Sequence, residues 1–260
     1  MKRIVVILTC LCLFALTYAQ TDSTNVKRKR VQNQTNAFVN RDDMQGGPIN
    51  VGFSIAPTVD WMFPYNKTYI ANGPAAGVRA GINLNVNLTK SKKFYFSTGL
   101  FFERIGGKMI FHDQVPVPNV GIADTTETRR TYSGQYLTVP FGITIKSRPI
   151  RNFYICGDAG IYNSLLLKSF NKDSYLLGDE LWSREKKAST ETAILKEAGY
   201  IGLGVEYSIR PKTRCGFYVN YVNTFTNYFK NKGLAPNNLT GENQKAKFGY
   251  LEFVLNINFF

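Results

Sequence analysis

At 260 residues, with 44% hydrophobic residues and a mean hydropathy of −0.18, the chain is long enough for one domain and too polar for a bundle of membrane helices. Its four cysteines include two in the leader, and Cys156 and Cys215 alone are too few to staple a fold of this size, which excludes the disulfide-rich class. The formal net charge of +14 would suit a nucleic-acid binder, but a chain with an export signal meets no nucleic acid, so the charge needs another cause.

That signal is the first element. Lys2 and Arg3 precede an apolar run from Ile4 to Leu16, followed by Thr17, Tyr18 and Ala19. A core of about 13 residues falls short of the roughly 17 to 25 that a membrane helix needs, so residues 1–19 read as a cleaved signal peptide, with the cut expected after Ala19. Lipidation at Cys10 or Cys12 would leave too little apolar core to engage export. Residues 20–48 hold few large apolar side chains and one basic run, Lys27 to Arg30, and are expected to form a flexible periplasmic tail.

From residue 49 to 260 the chain alternates apolar and polar residues in eight stretches: approximately 49–62, 75–88, 94–105, 132–145, 153–165, 196–209, 215–226 and 248–260. Short basic turns (89–93, 146–152, 210–214) rotate with long connections (63–74, 106–131, 166–195, 227–247). This layout predicts an all-β, eight-stranded antiparallel up-and-down transmembrane β-barrel, with short turns in the periplasm and long loops outside. A secreted lipocalin-like barrel or sandwich would share the period of two. The polar face weighs against it: in the second stretch Val78, Ala80, Ile82, Leu84, Val86 and Leu88 would meet lipid, whereas Arg79, Asn83, Asn85 and Asn87 would face a wet, narrow lumen. Aromatic residues also crowd the strand ends (Trp61, Phe63, Tyr65, Phe94, Phe153, Phe217), as interfacial girdles do.

The polar faces contribute Arg79, Glu103, Asp158, Glu206 and Glu252 to the interior of a barrel that its own side chains should fill, so a paired polar network is expected there. If the turn at 89–93 is centred on Ser91, cross-strand partners sum to 182; Arg79 then faces Glu103, and the two are expected to form a salt bridge. Cys156 and Cys215 fall on opposite faces and are expected to stay unbridged. The glycines at 157–160 and 202–204 lie in strands and read as relief of crowding rather than as phosphate loops.

The segment at 135–167, with Tyr136, Leu137, Val139 and Pro140 before a basic turn and Gly157, Gly160 and Tyr162 after it, resembles the core of the PorT-like outer-membrane barrels of the Bacteroidota. The resemblance extends over 49–260. It implies an outer-membrane β-barrel in a Gram-negative cell, and the member that names the family is an accessory of protein export by the type IX secretion system. The chain departs from the usual terminal signal: the lipid-facing register of the last strand is Leu251, Phe253, Leu255, Ile257 and Phe259, one residue out of step with Phe260.

No cofactor, metal site or catalytic group is expected. His112, the only histidine, stands in a long connection without a nucleophile at defined spacing, and neither remaining cysteine has a CxxC partner. Loss of the signal lowers the net charge only to +12, and the basic residues gather at the periplasmic turns: Lys90, Lys92, Lys93, Lys146, Arg148, Arg151, Arg210, Lys212 and Arg214. They read as an anchor to anionic outer-membrane lipid headgroups, with a docking face for an acidic periplasmic or envelope protein as the alternative. The expected molecule is a monomeric, non-enzymatic structural or accessory barrel. Adhesion through the surface loops, passive conduction and lipid modification are the alternatives.

Overall fold

The computed structural model describes residues 48–65, 69–89, 91–117, 121–177, 180–210, 212–230 and 245–259. The signal, the tail up to residue 47, Lys90 and Phe260 lie outside the described residues. Ten strands follow one another: β1 (Ile49–Pro64), β2 (Ile70–Ala71), β3 (Ala75–Asn87), β4 (Phe94–Val117), β5 (Gly121–Lys146), β6 (Phe153–Leu177), β7 (Glu180–Lys187), β8 (Leu195–Arg210), β9 (Thr213–Thr224) and β10 (Ala246–Phe259).

Eight of them form the ring β1-β3-β4-β5-β6-β8-β9-β10, each antiparallel to its neighbours, and β10 pairs back onto β1 from Val51↔Phe259 to Pro64↔Ala246. Closure leaves no backbone edge exposed to hydrocarbon, the condition for a sheet to span a bilayer. Alternation sorts the faces. In β9, Arg214, Gly216, Tyr218, Asn220, Val222 and Thr224 are buried, while Phe217, Val219 and Tyr221 project outward. The outer wall is an apolar belt including Phe53, Ile55, Ile82, Leu100, Ile143, Ile155, Ile201, Leu203 and Leu255, all exposed to the surroundings. In β10, Leu255, Ile257 and Phe259 face outward and Asn258 faces in, with Val51 opposite Phe259.

The long connections differ from expectation. Residues 106–131 are not a loop: β4 and β5 stay paired past the expected strand end at 105 to Val117↔Gly121, with one register shift between Gln114 and Pro116, and β6 runs on to Leu177, where β7 returns alongside it. An apolar belt is crossed by about 9 to 11 tilted residues, so more than half of β4, β5 and β6, at 24, 26 and 25 residues, stands outside the membrane. Outside lipid the outward face no longer has to be apolar, yet the strands stay paired, and the inner face keeps its period through Ile105, Met109 and Phe111. The result is a sheet, β2-β4-β5-β6-β7, rising from one side of the extracellular rim. A bulge between Gln135 and Tyr136, which leaves Leu167 unpaired on β6, marks the level where β5 and β6 pass that rim. The short turns are tight enough to place Lys92 and Arg151 in the left-handed region, at φ of 52° and 59°.

Candidate functional site: a closed lumen between two charged rims

The inward register of each strand delivers polar and aromatic side chains into a space with room for little else. At the periplasmic end Lys146 on β5 donates to both carboxylate oxygens of Glu206 on β8, at 2.7 Å each. Tyr218 donates to the same carboxylate at 2.7 Å, and Arg214 stands 3.7 Å from it. The cations lie over rings: Lys146 over Tyr95 at 4.5 Å and Arg214 over Tyr154 at 4.4 Å.

Above this layer lies a polar cavity of about 70 Å³, lined by residues including Ser54, Asn83, Asn85, Thr144, Asp158 and Asn256. Asn83 donates to Asn258 at 2.5 Å, and Asp158 accepts from Thr144 at 3.2 Å and Tyr200 at 3.5 Å. The roof of the cavity is a transverse stack. Arg79 donates to Glu252 at 2.9 Å while its guanidinium lies over Tyr162 and Phe101, at 4.3 and 4.8 Å. Tyr162 in turn stacks on Tyr200, with centroids 4.3 Å apart and planes inclined by 17°. Tyr200 lies along its own wall, across its ladder partner Gly160 on β6 and onto Gly142 on β5, which pairs with Gly160; a Cβ on Gly142 would come within 2.0 Å of the Tyr200 hydroxyl.

Toward the outside, Glu103 accepts from Lys196 at 2.7 Å, Thr138 at 2.7 Å and Tyr250 at 2.8 Å. Asp60, fully buried, accepts from the Gly106 backbone N–H at 2.8 Å. An aromatic cap closes the extracellular mouth: Tyr228 meets Tyr132, Phe229 and Phe248 edge to face, at 5.7, 5.1 and 5.0 Å. Above the membrane, burial pushes the Tyr132 and Tyr228 hydroxyls above their ordinary pKa, so both stay protonated. Arg130 and Asp173 form a two-pronged ion pair beside them.

The structure brings Arg79, Glu103, Asp158, Glu206 and Glu252 into this one lumen but corrects their pairing. Arg79 is opposite Glu103 in the register that sums to 182, yet its ion pair is with Glu252, and Glu103 is paired with Lys196. Register describes Cα neighbours on one wall; in a barrel this narrow, a long side chain reaches across the interior to whichever strand carries the better-placed charge. A second correction concerns the basic face. Lys146 and Arg214 are not turn residues but lumen residues, 4% and 1% exposed, held inward by Glu206. Lys92, Lys93, Arg148, Arg151, Arg210 and Lys212 remain at the periplasmic turns, all at least partly exposed, while Lys90 lies outside the described residues. A third concerns glycine. Cβ atoms on Gly160, Gly202 and Gly204 would strike neighbours within 2.4 Å, but Gly157 faces outward with nothing within 4 Å.

Lys196 and Asp60 were missed from the sequence because both stand near the ends of their strands. Parity would have found them: Lys196 shares the inward register of Ala198, Tyr200 and Glu206, and Asp60 that of Thr58 and Met62. His112 is exposed on β4 opposite Glu127. Among the described residues no group of three or more His, Cys, Asp and Glu side chains converges. Cys156, buried, and Cys215, outward, are both free thiols.

The model of the outer membrane protein beta-barrel domain family matches residues 46–230, well over half of the chain. The chain belongs to that family. Membership and the closed, apolar-belted ring place it in the outer membrane. No curated protein sequence matches it. Among solved structures it is similar to Neisserial surface protein A, at 11% identity over 82% of this chain and 97% of that one, with a TM-score of 0.38. The outer membrane protease OmpT of Escherichia coli matches at 10% over 81% and 96%, with a TM-score of 0.39. The attachment invasion locus protein Ail of Yersinia pestis matches at 10% over 81% and 98%, with a TM-score of 0.31.

Proposed function

We propose that this barrel is a non-enzymatic structural or accessory component of an envelope assembly, of the PorT-like kind found in Bacteroidota and linked to protein secretion. The observation that carries this reading is the filled lumen. Ion pairs, a transverse aromatic stack and an aromatic cap occupy the interior, so whatever work the molecule does falls to its outer surfaces. Two such surfaces are available: the periplasmic turns with their exposed cations, and the sheet that rises above the extracellular rim. The size of that sheet favours a second reading, surface binding or adhesion, because recognition is commonly carried by segments displayed on a rigid scaffold.

The test is mild crosslinking in cells followed by purification of the intact protein. Three forms are compared: wild type, Lys92→Gln/Lys93→Gln/Arg148→Gln/Lys212→Gln, and a form with 112–126 replaced by a tight turn. Loss of an envelope partner from the turn variant alone supports a periplasmic accessory role. Loss from the shortened form alone supports surface recognition, and recovery of no partner with wild type counts against both.

A further inference from the structure

We propose that the outward wall of β4, β5 and β6, just above the apolar belt, binds the phosphate groups of the outer-leaflet glycolipid, a lipid A-type headgroup. The evidence is a change of chemistry along one outward wall. On β4 the outward residues Leu100 and Phe102 give way to Arg104 and Lys108; on β6 Leu165 and Leu167 give way, across the bulge that shifts the outward register by one residue, to Lys168 and Lys172 with Phe170 between them. The ladder aligns them into two rows, Arg104↔Gln135↔Lys168 and Lys108↔Thr131↔Lys172. Each row places its cations two strands apart, about 10 Å, and the rows are separated by four residues, about 13 Å along the strand.

Position selects the ligand. These side chains stand on the same wall as the lipid-facing belt, so they are placed at the level of the headgroup layer beside the barrel rather than on top of it. The surface there is an open wall rather than a cleft. It suits an array of anions already concentrated at that level better than a single soluble ligand. None of the four cations has a carboxylate within ion-pair distance among the described residues; Arg104 donates only to the Ser133 hydroxyl, at 3.3 Å. The one carboxylate facing the rows in the ladder among the described residues is Glu185 on β7, opposite Lys172 but not in ion-pair contact with it; elsewhere the rim is mixed, with Glu197 outward on β8 and Lys247 on β10 lying over the Tyr65 ring at 5.5 Å. The basic wall is therefore one-sided.

The test uses the full chain in neutral phosphatidylcholine nanodiscs, titrated with bisphosphorylated lipid A or with the same lipid stripped of phosphate, and read by native mass spectrometry. Wild type is expected to retain bisphosphorylated lipid A at least about tenfold more than the stripped form. Arg104→Gln/Lys108→Gln/Lys168→Gln/Lys172→Gln is expected to lose that preference. The turn variant Lys92→Gln/Lys93→Gln/Arg148→Gln/Lys212→Gln, which removes the same charge at the other rim, is expected to keep it. If the fourfold variant does not fold, judged by heat-modifiable mobility, the one-row variant Arg104→Gln/Lys168→Gln should still lower retention. Equal retention of both lipids, or equal loss from both fourfold variants, overturns the proposal. So does displacement of bound lipid A by micromolar inorganic tripolyphosphate, which would assign the wall to a soluble polyanion.

Discussion

At the scale of single residues, the lumen is held by charges whose partners come from distant parts of the chain. Glu103 sits fully buried with Lys196, Thr138 and Tyr250 around it, so removing the cation leaves a buried carboxylate without its ion-pair partner. Lys196→Met should lower the unfolding free energy by about 3 to 5 kcal/mol in urea titrations of the refolded protein, and Glu103→Gln/Lys196→Met should recover part of that. A double-mutant cycle separates the two readings of Arg79. Coupling is expected between Arg79 and Glu252, which touch at 2.9 Å, and only a small residue between Arg79 and Glu103, which face each other in register without an ion pair. A larger coupling to Glu103 would mean that the guanidinium stays on its own wall. The two thiols offer an independent check of the faces. A lipid-soluble maleimide should modify one cysteine in the folded barrel, Cys215, and a second, Cys156, only after denaturation, as counted by intact mass. Labelling of both in the folded state would contradict the inward placement of Cys156.

At the scale of elements, the membrane strands were legible in the sequence because lipid strongly favours apolar outward residues. Val78 to Val86 on β3 and Leu251 to Phe259 on β10 keep an apolar residue at every second position for that reason. Above the rim the constraint disappears. Lys108 and His112 on β4 continue the outward register of the belt and Lys168 and Lys172 on β6 the same face one residue out of step past the bulge, and polar outward residues beside polar inward ones such as Ser169 and Asn171 look like a loop. The pairings inside the lumen were hidden for a different cause: parity gives a face, but which charge meets which depends on curvature and side-chain reach, as Lys146 and Arg214 turning in to Glu206 illustrate. The long ladders have a measurable consequence. Protease added to intact cells should spare the paired stretches 127–135 and 168–175, because a cleavage site must be released from its hydrogen bonds to enter a protease. Cuts should fall instead at the hairpin ends, between Val117 and Gly121 or between Leu177 and Glu180, and be read by mass spectrometry of the fragments. Rapid cleavage inside 127–135 would show that the upper ladder is not held in the cell.

At the scale of the whole molecule, a closed ring and a filled interior make separate predictions. Ring closure means that no strand can leave without breaking two ladders, so the unboiled protein should migrate faster in detergent gels than the boiled one. The filling predicts silence in planar bilayers. The 70 Å³ cavity lies between Lys146 and Glu206 on the periplasmic side and Arg79, Tyr162 and Tyr200 on the outer side, and both sets of ion-paired side chains would have to move for an ion to pass. A passing ion would also have to displace charges already paired at 2.7 to 2.9 Å in a confined space. Wild type inserted into planar bilayers should therefore give no steady current, and neither should Tyr162→Ala/Tyr200→Ala, which thins one barrier but leaves both ion-paired layers in place. Discrete conductance steps from wild type would show that these layers exchange partners readily, and would return passive conduction to the front of the functional readings.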